Sequence, residues 1–206
     1  MGVFWWGPFW GPLQSVSSGA EPFSRRLAVY LRQSIWLALL FLVTYAATNR
    51  LSALRTNPFR LYFDRELSIP FVPWMIWVYL SINLFLALPL AVLNIADIRR
   101  LARAFALAAV AAALAHLLLP TQLGWTQPAC FNLDYPHNLV PSLHVAYAVL
   151  AGAVVWNGAT AHWLRILSGA WLALLISSVL LVHQHHLLDV VTGAALGILC
   201  YRWFRR

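Results

Sequence analysis

A chain of 206 residues that is 62% hydrophobic and 10% charged is too apolar for a soluble domain, which is usually about half apolar and about a quarter charged. Its net charge of +8 carries no lysine, and the arginines gather at the ends of apolar runs, where membrane topology and anionic headgroups account for them. No basic stripe with interleaved aromatics stands outside those runs, so nucleic acid is not expected as a partner.

In chain order, Met1 to Pro12 lacks a basic n-region and is broken by Gly2, Gly7, Pro8, Gly11 and Pro12, so it does not read as a signal peptide. Its Phe4, Trp5, Trp6, Phe9 and Trp10 suit a membrane–water interface. Residues 1–24 are therefore read as an aromatic-rich interfacial segment, and 25–206 as one helical domain. A spanning helix needs about 20 mainly apolar residues, and six runs qualify. They cover about Leu27 to Thr48, Phe71 to Leu93, Leu101 to Leu119, Ser142 to Trp156, Trp163 to Val182 and His186 to Phe204. The fourth is short, but Pro141 is well placed to open it. The segment from Phe59 to Leu67 alternates charge with bulky apolar groups, as either a short interfacial helix or a solvated connector would.

The expected fold is thus all-α, a polytopic bundle of six transmembrane helices. Six spans put both termini on one side. The termini and even-numbered loops hold Arg25, Arg26, Arg99, Arg100, Arg103, Arg165, Arg202, Arg205 and Arg206, whereas the odd-numbered loops hold Arg50, Arg55, Arg60 and Arg65, all in the first, and the later odd loops have no arginine. The positive-inside rule then makes both termini cytoplasmic and turns the odd loops to the outside or periplasm. Cys130 and Cys200 fall at opposite faces in this order, which excludes a disulfide between them.

Five of the seven histidines, His137, His144, His183, His185 and His186, lie in or beside the later outward loops, with Asp134 and Asp189. Ionisable groups at such positions mark function by default. His116 and His162 are read as structural or interfacial. His185 and Asp189 stand four apart and share a helix face. The carboxylate can take a hydrogen bond from one ring nitrogen and leave the other as nucleophile or base, although an ion pair at a helix start explains the same spacing. Pro141 opens a helix whose first N–H groups favour anions. Ser142 adds a donor, and His144 sits in the first turn. Two histidines so placed fit in-line phosphoryl transfer, one attacking phosphorus and one protonating the leaving oxygen.

These motifs carry a resemblance. Pro141-Ser142-Leu143-His144 looks like the PSGH motif of the type-2 phosphatidic acid phosphatase superfamily, and His185 to Asp189 looks like the end of its SRxxxxxHxxxD motif, with Ser178 in the serine place. The wording PSLHVA with HQHHLLDVVTG is closer still to the branch containing inositol phosphorylceramide synthase and its bacterial relatives, and the likeness extends through Phe63-Asp-Arg-Glu to Pro73-Trp-Met-Ile-Trp. The resemblance implies a site at the outer face of a bacterial inner membrane. It implies His185 as nucleophile forming a phosphohistidine, Asp189 as its orienting partner, His144 as general acid, and neither metal nor cofactor.

Two departures bear on the substrate. Val179 stands where the family has arginine, and Gln127-Pro128 stands in its Arg-Pro place with Gln122 nearby. Ser142, Gln122, Gln127 and His186 are the expected substrate contacts. A site with fewer cations suits a phosphodiester better than a phosphomonoester dianion. The leading expectation is therefore a phospholipid head-group phosphotransferase, with a lipid phosphate monoester phosphatase as the alternative. A zinc site built from His183, His185, His186 and Asp189, a non-catalytic lipid binder or scramblase, and a serine protease at Ser142 are the competing readings. Adjacent His185 and His186 diverge on a helix, and Ser142 lacks a GxSxG setting.

Overall fold

The computed structural model describes residues 21–125 and 138–206. The readings made for the first 20 residues, and for Gln127, Cys130, Asp134 and His137, fall outside that range. The described chain is helical: α1 (Phe23–Ala53), α2 (Met75–Leu80), α3 (Ile82–Phe85), α4 (Ile95–Leu118), α5 (Leu143–Gly158), α6 (His162–Leu181) and α7 (Leu187–Arg205), with 3₁₀ turns at Asp64–Ser68 and Leu88–Ala91. Four of these, α1, α4, α6 and α7, are long and apolar enough to cross a membrane, while Met75–Ala91 and α5 are shorter apolar segments.

Two boundaries differ from the sequence reading. α1 reaches from Phe23 to Ala53, since arginine is a good helix former and nothing in Arg25-Arg26 or Asn49-Arg50 stops the helix. α4 begins six residues early because Asn94 caps it, its side chain accepting the Asp97 N–H at 2.8 Å. Such a cap is worth about 1 kcal/mol. Arg99, Arg100 and Arg103 consequently ride on the first turns of α4.

The second apolar run is not one helix. Ser81 turns its hydroxyl back onto the Val78 carbonyl at 2.6 Å and accepts the Trp171 indole N–H at 2.9 Å, which pulls the chain toward α6 at the α2–α3 junction. Pro89 then removes a donor, and the run ends in a 3₁₀ turn.

α5 is the buried centre. Val145, Ala146, Ala148, Leu150, Ala151, Val154 and Val155 have no exposed surface, which explains how a helix of only 16 residues is apolar on every side. α6, α7 and α4 pack around it, and α1 packs on α4. The outward faces carry bare apolar side chains such as Ile35, Trp36, Val43, Trp163 and Ile166, the surface expected of helices solvated by lipid. α7 approaches α5 through Gly193 and Gly197, where an added Cβ would overlap the carbonyl oxygens of Ser142 and Ala146. The small-residue stripe therefore serves packing within the bundle.

One end of the bundle collects both motifs. There the Ser52 hydroxyl donates to the His116 carbonyl, the His116 ring meets the Pro141 carbonyl at 3.2 Å, and the Val72 N–H reaches Leu181 at 2.8 Å.

Candidate active site

The turn between α6 and α7 is fixed by its backbone. The N–H groups of Gln184 and His185 both donate to the Val179 carbonyl, at 3.0 and 3.1 Å. His183 takes the left-handed conformation at φ 57°, a strained choice for a residue with a Cβ. Its ring is held by the Ile69 carbonyl at 2.9 Å. Burial lowers the pKa of His183, and the Ile69 bond opposes that shift.

From this turn His185 enters almost fully buried, 3% exposed. Its Nδ1 lies 3.3 Å from Asp189 Oδ2; the expected shared helix face is not what joins them, because α7 starts only at Leu187 and His185 reaches Asp189 from the turn before it. The same carboxylate oxygen accepts the backbone N–H of His186 at 2.7 Å and so caps α7. A carboxylate only accepts, so Nδ1 of His185 carries the proton and Nε2 presents its lone pair.

The second motif meets the first directly. The Ser142 N–H donates to the Asp189 carbonyl at 3.0 Å, and the close approach at Gly193 holds the two helix starts together. Ser142 is fully buried, its hydroxyl accepting the Val145 N–H as the cap of α5. Two residues on, His144 stacks on Tyr79 with ring centres 4.3 Å apart. Its Nε2 is buried with no hydrogen-bond partner among the described residues.

His144 and His185 share the wall of a cavity of about 520 Å³. α1, α2, α3, α4 and α5 line the rest, mostly with apolar groups such as Leu37, Phe41, Leu86, Leu101 and Phe105. Its volume is in the range of small-molecule sites. Asn138 stands in the same wall, pinned to α1 by its side-chain amide, which donates to the Tyr45 carbonyl and the Thr48 hydroxyl at 2.9 and 2.8 Å. No arginine lines the cavity among the described residues. Val179, in the family's arginine place, is fully buried in an apolar cluster with Met75, Tyr79 and Val145.

Of the expected substrate contacts, Ser142 adjoins the cavity through His144 but caps a helix rather than lining the wall. Gln122 sits in the loop after α4, its N–H donating to Phe59 at 3.1 Å, away from that wall. His186 is buried between the rings of Tyr62 and Trp125. Both its nitrogens are engaged: Nδ1 with Glu66 Oε2 at 3.2 Å, and Nε2 with the Gly124 N–H at 3.1 Å. Burial lowers the His186 pKa, against the pull of Asp189 and Glu66. Glu66 itself, 3% exposed, is a residue the sequence did not single out. Its sequence signals are its place at the end of Phe63-Asp-Arg-Glu, part of the stretch that carries the likeness, and the alternating pattern around it. His116 is structural, as expected, buried against Pro141. Among the described residues no group of three or more histidine, cysteine or acidic side chains is arranged to hold a metal ion.

The sequence model of the PAP2 superfamily matches residues 133–203, about a third of the chain. That stretch contains Ser142, His144, His185 and Asp189, so the match falls on the residues that the fold brings together. It makes the chain similar to phosphatase-type lipid enzymes at a coarse level. No curated protein and no solved structure matches.

Proposed function

We propose that this membrane protein transfers a phosphorus-bearing group from a lipid through a phosphohistidine on His185. The observation that carries the reading is the pair of imidazoles in one cavity wall, one beside Asp189 and one whose Nε2 has no partner among the described residues. The apolar slot beside them suits a lipid chain. His185 Nε2 attacks phosphorus in line, the bond to the leaving oxygen breaks, and His144 gives that oxygen a proton. A second hydroxyl, from water or a lipid alcohol, then attacks the phosphohistidine, and His144 receives its proton. Asp189 holds the His185 ring and stabilises the cation that forms when it is phosphorylated.

The cation-poor cavity favours a phosphodiester donor and head-group transfer. Glu66 and Asp189 are buried carboxylates near the site, and neither pairs with an arginine among the described residues. A dianion there meets like charge in a low dielectric, whereas a monoanion meets half as much. A lipid phosphate monoester phosphatase is the second form, since water uses the same two histidines. The reading also has six spans, with both termini cytoplasmic and the site at the outer face, supported by the arginine distribution. It has no metal and no cofactor in the chemistry.

The test is turnover of phosphorus-labelled phospholipids by purified protein, with and without ceramide or diacylglycerol. Labelled product lipid that depends on the added alcohol is the expected result. Inorganic phosphate as sole product would sink the transferase form, and no turnover of any phospholipid would sink both.

A further inference from the structure

Glu66 lies 120 residues before His186 in sequence, on the loop after α1, yet its carboxylate is buried against the start of α7. It accepts three N–H groups. Oε1 takes the Phe63 backbone N–H at 3.0 Å, and Oε2 takes the Leu187 backbone N–H at 2.8 Å and the His186 Nδ1–H at 3.2 Å. The ring it holds is closed at its other nitrogen by the Gly124 N–H, so His186 is fixed as one neutral tautomer with one orientation. The first outer loop, the loop after α4 and the catalytic turn therefore meet on one imidazole.

That imidazole belongs to the residue whose backbone N–H fixes Asp189. Asp189 Oδ2 receives His186 N–H at 2.7 Å and faces His185 Nδ1 at 3.3 Å. Moving His186 moves the oxygen that orients the nucleophile. A neutral serine or asparagine would cap a helix as well. A buried carboxylate is the more costly choice, tolerable only with several donors around it, and in a site that must receive phosphate its charge is unhelpful. A carboxylate at this place asks for a role beyond capping.

We infer that Glu66 is a positioning residue for the proposed phosphoryl transfer, acting through His186 and Asp189 to hold His185 in line. It does not line the cavity, so it does not contact substrate there. In Glu66→Gln only one of the two oxygens remains an acceptor, so the side-chain NH₂ is set either against the Phe63 N–H or against both the Leu187 N–H and the His186 Nδ1–H, and a donor faces a donor in either case. Glu66→Asp keeps the charge one methylene short and restores part of the arrangement.

The inference rests on the reading of His185 as nucleophile, and two readouts keep the two apart. In detergent or nanodiscs, Glu66→Gln lowers kcat by about 10- to 100-fold with KM within about two-fold, and Glu66→Asp recovers part of that loss. In an Asp189→Asn background the same substitution adds little, since both act on one ring. The second readout needs no substrate: the rate at which diethyl pyrocarbonate modifies His185, followed by mass spectrometry, changes in Glu66→Gln while the melting profile of Glu66→Asp stays near wild type. Unchanged kcat, a full-sized additional loss in the Asp189→Asn background, or an unchanged His185 modification rate would each overturn the positioning role. If wild type turns over no phospholipid but the modification rate responds, the positioning stands and the proposed function falls.

Discussion

Gly193 sits so close beneath Ser142 that a Cβ at position 193 would collide with the Ser142 carbonyl and come within 3.2 Å of its Cβ. This contact joins the two motifs, because Ser142 opens the helix that carries His144, and Gly193 lies one turn beyond Asp189 on the helix aligned with His185. Gly193→Ala should separate α5 from α7 at their active end. A loss of about 1–3 kcal/mol of stability is expected from overpacking against backbone that cannot yield. Activity should fall further than stability alone explains, since the histidines move apart. Thermal unfolding beside kcat on folded protein checks it.

In the proposed mechanism the two histidines divide the chemistry, and their substitutions should separate. His185→Ala should abolish turnover while leaving the fold intact. His144→Ala should lower kcat by about 10²- to 10⁴-fold, the usual contribution of a positioned acid–base group. The His144 loss should shrink for substrates with a good leaving group such as nitrophenol, which needs little protonation. The His185 loss should not. Burst and steady-state rates on lipid and nitrophenyl phosphodiesters test this.

Much of this site could be read from the chain, because it rests on local spacing. His185 and Asp189 are four residues apart, close enough to pair although His185 lies in the turn before α7, and Pro141 and Ser142 announce a helix start. What escaped the sequence is non-local. The break at Ser81 depends on Trp171 from α6, and an apolar run gives no sign of it. Glu66 finds its partners 120 and 121 residues away, and an alternating surface-like segment conceals a buried carboxylate. The early start of α4 was legible in Asn94 with Asp97, but arginines in the first turns argued for a loop.

Acid should destabilise the end of the bundle that carries His183 and His186. The pKa of His186 is lowered chiefly by burial, and that of His183 likewise. Both unfold to imidazoles of ordinary pKa about 6.5. Above that pH neither state binds the proton and nothing is lost. As pH falls from about 6.5 through the folded values, the unfolded chain takes up protons first and stability declines. Melting temperatures measured from pH 8 to 5 should fall below about pH 6.5, and His186→Gln should flatten part of that slope. A rise in melting temperature with acid would contradict the neutral, doubly bonded imidazole.

Val179 fills the family's arginine place with a fully buried apolar side chain. Val179→Arg should therefore destabilise by several kcal/mol, as burying an unpaired charge does, and should not convert the protein into an efficient monoesterase. Improved turnover of a lipid phosphate monoester in this variant would show that position 179 reaches the phosphate, against its burial in the apolar cluster. Chelators should leave wild-type turnover unchanged.

The most direct test of the account is the fate of phosphorus on the protein. Purified protein is mixed with a phospholipid labelled at phosphorus, quenched in alkali within the first turnover, digested and sequenced by mass spectrometry. The account predicts an acid-labile, alkali-stable label on His185, absent from His185→Ala and carried to product when acceptor is added. Label on any other residue, or full turnover with no labelled intermediate at His185, would contradict it.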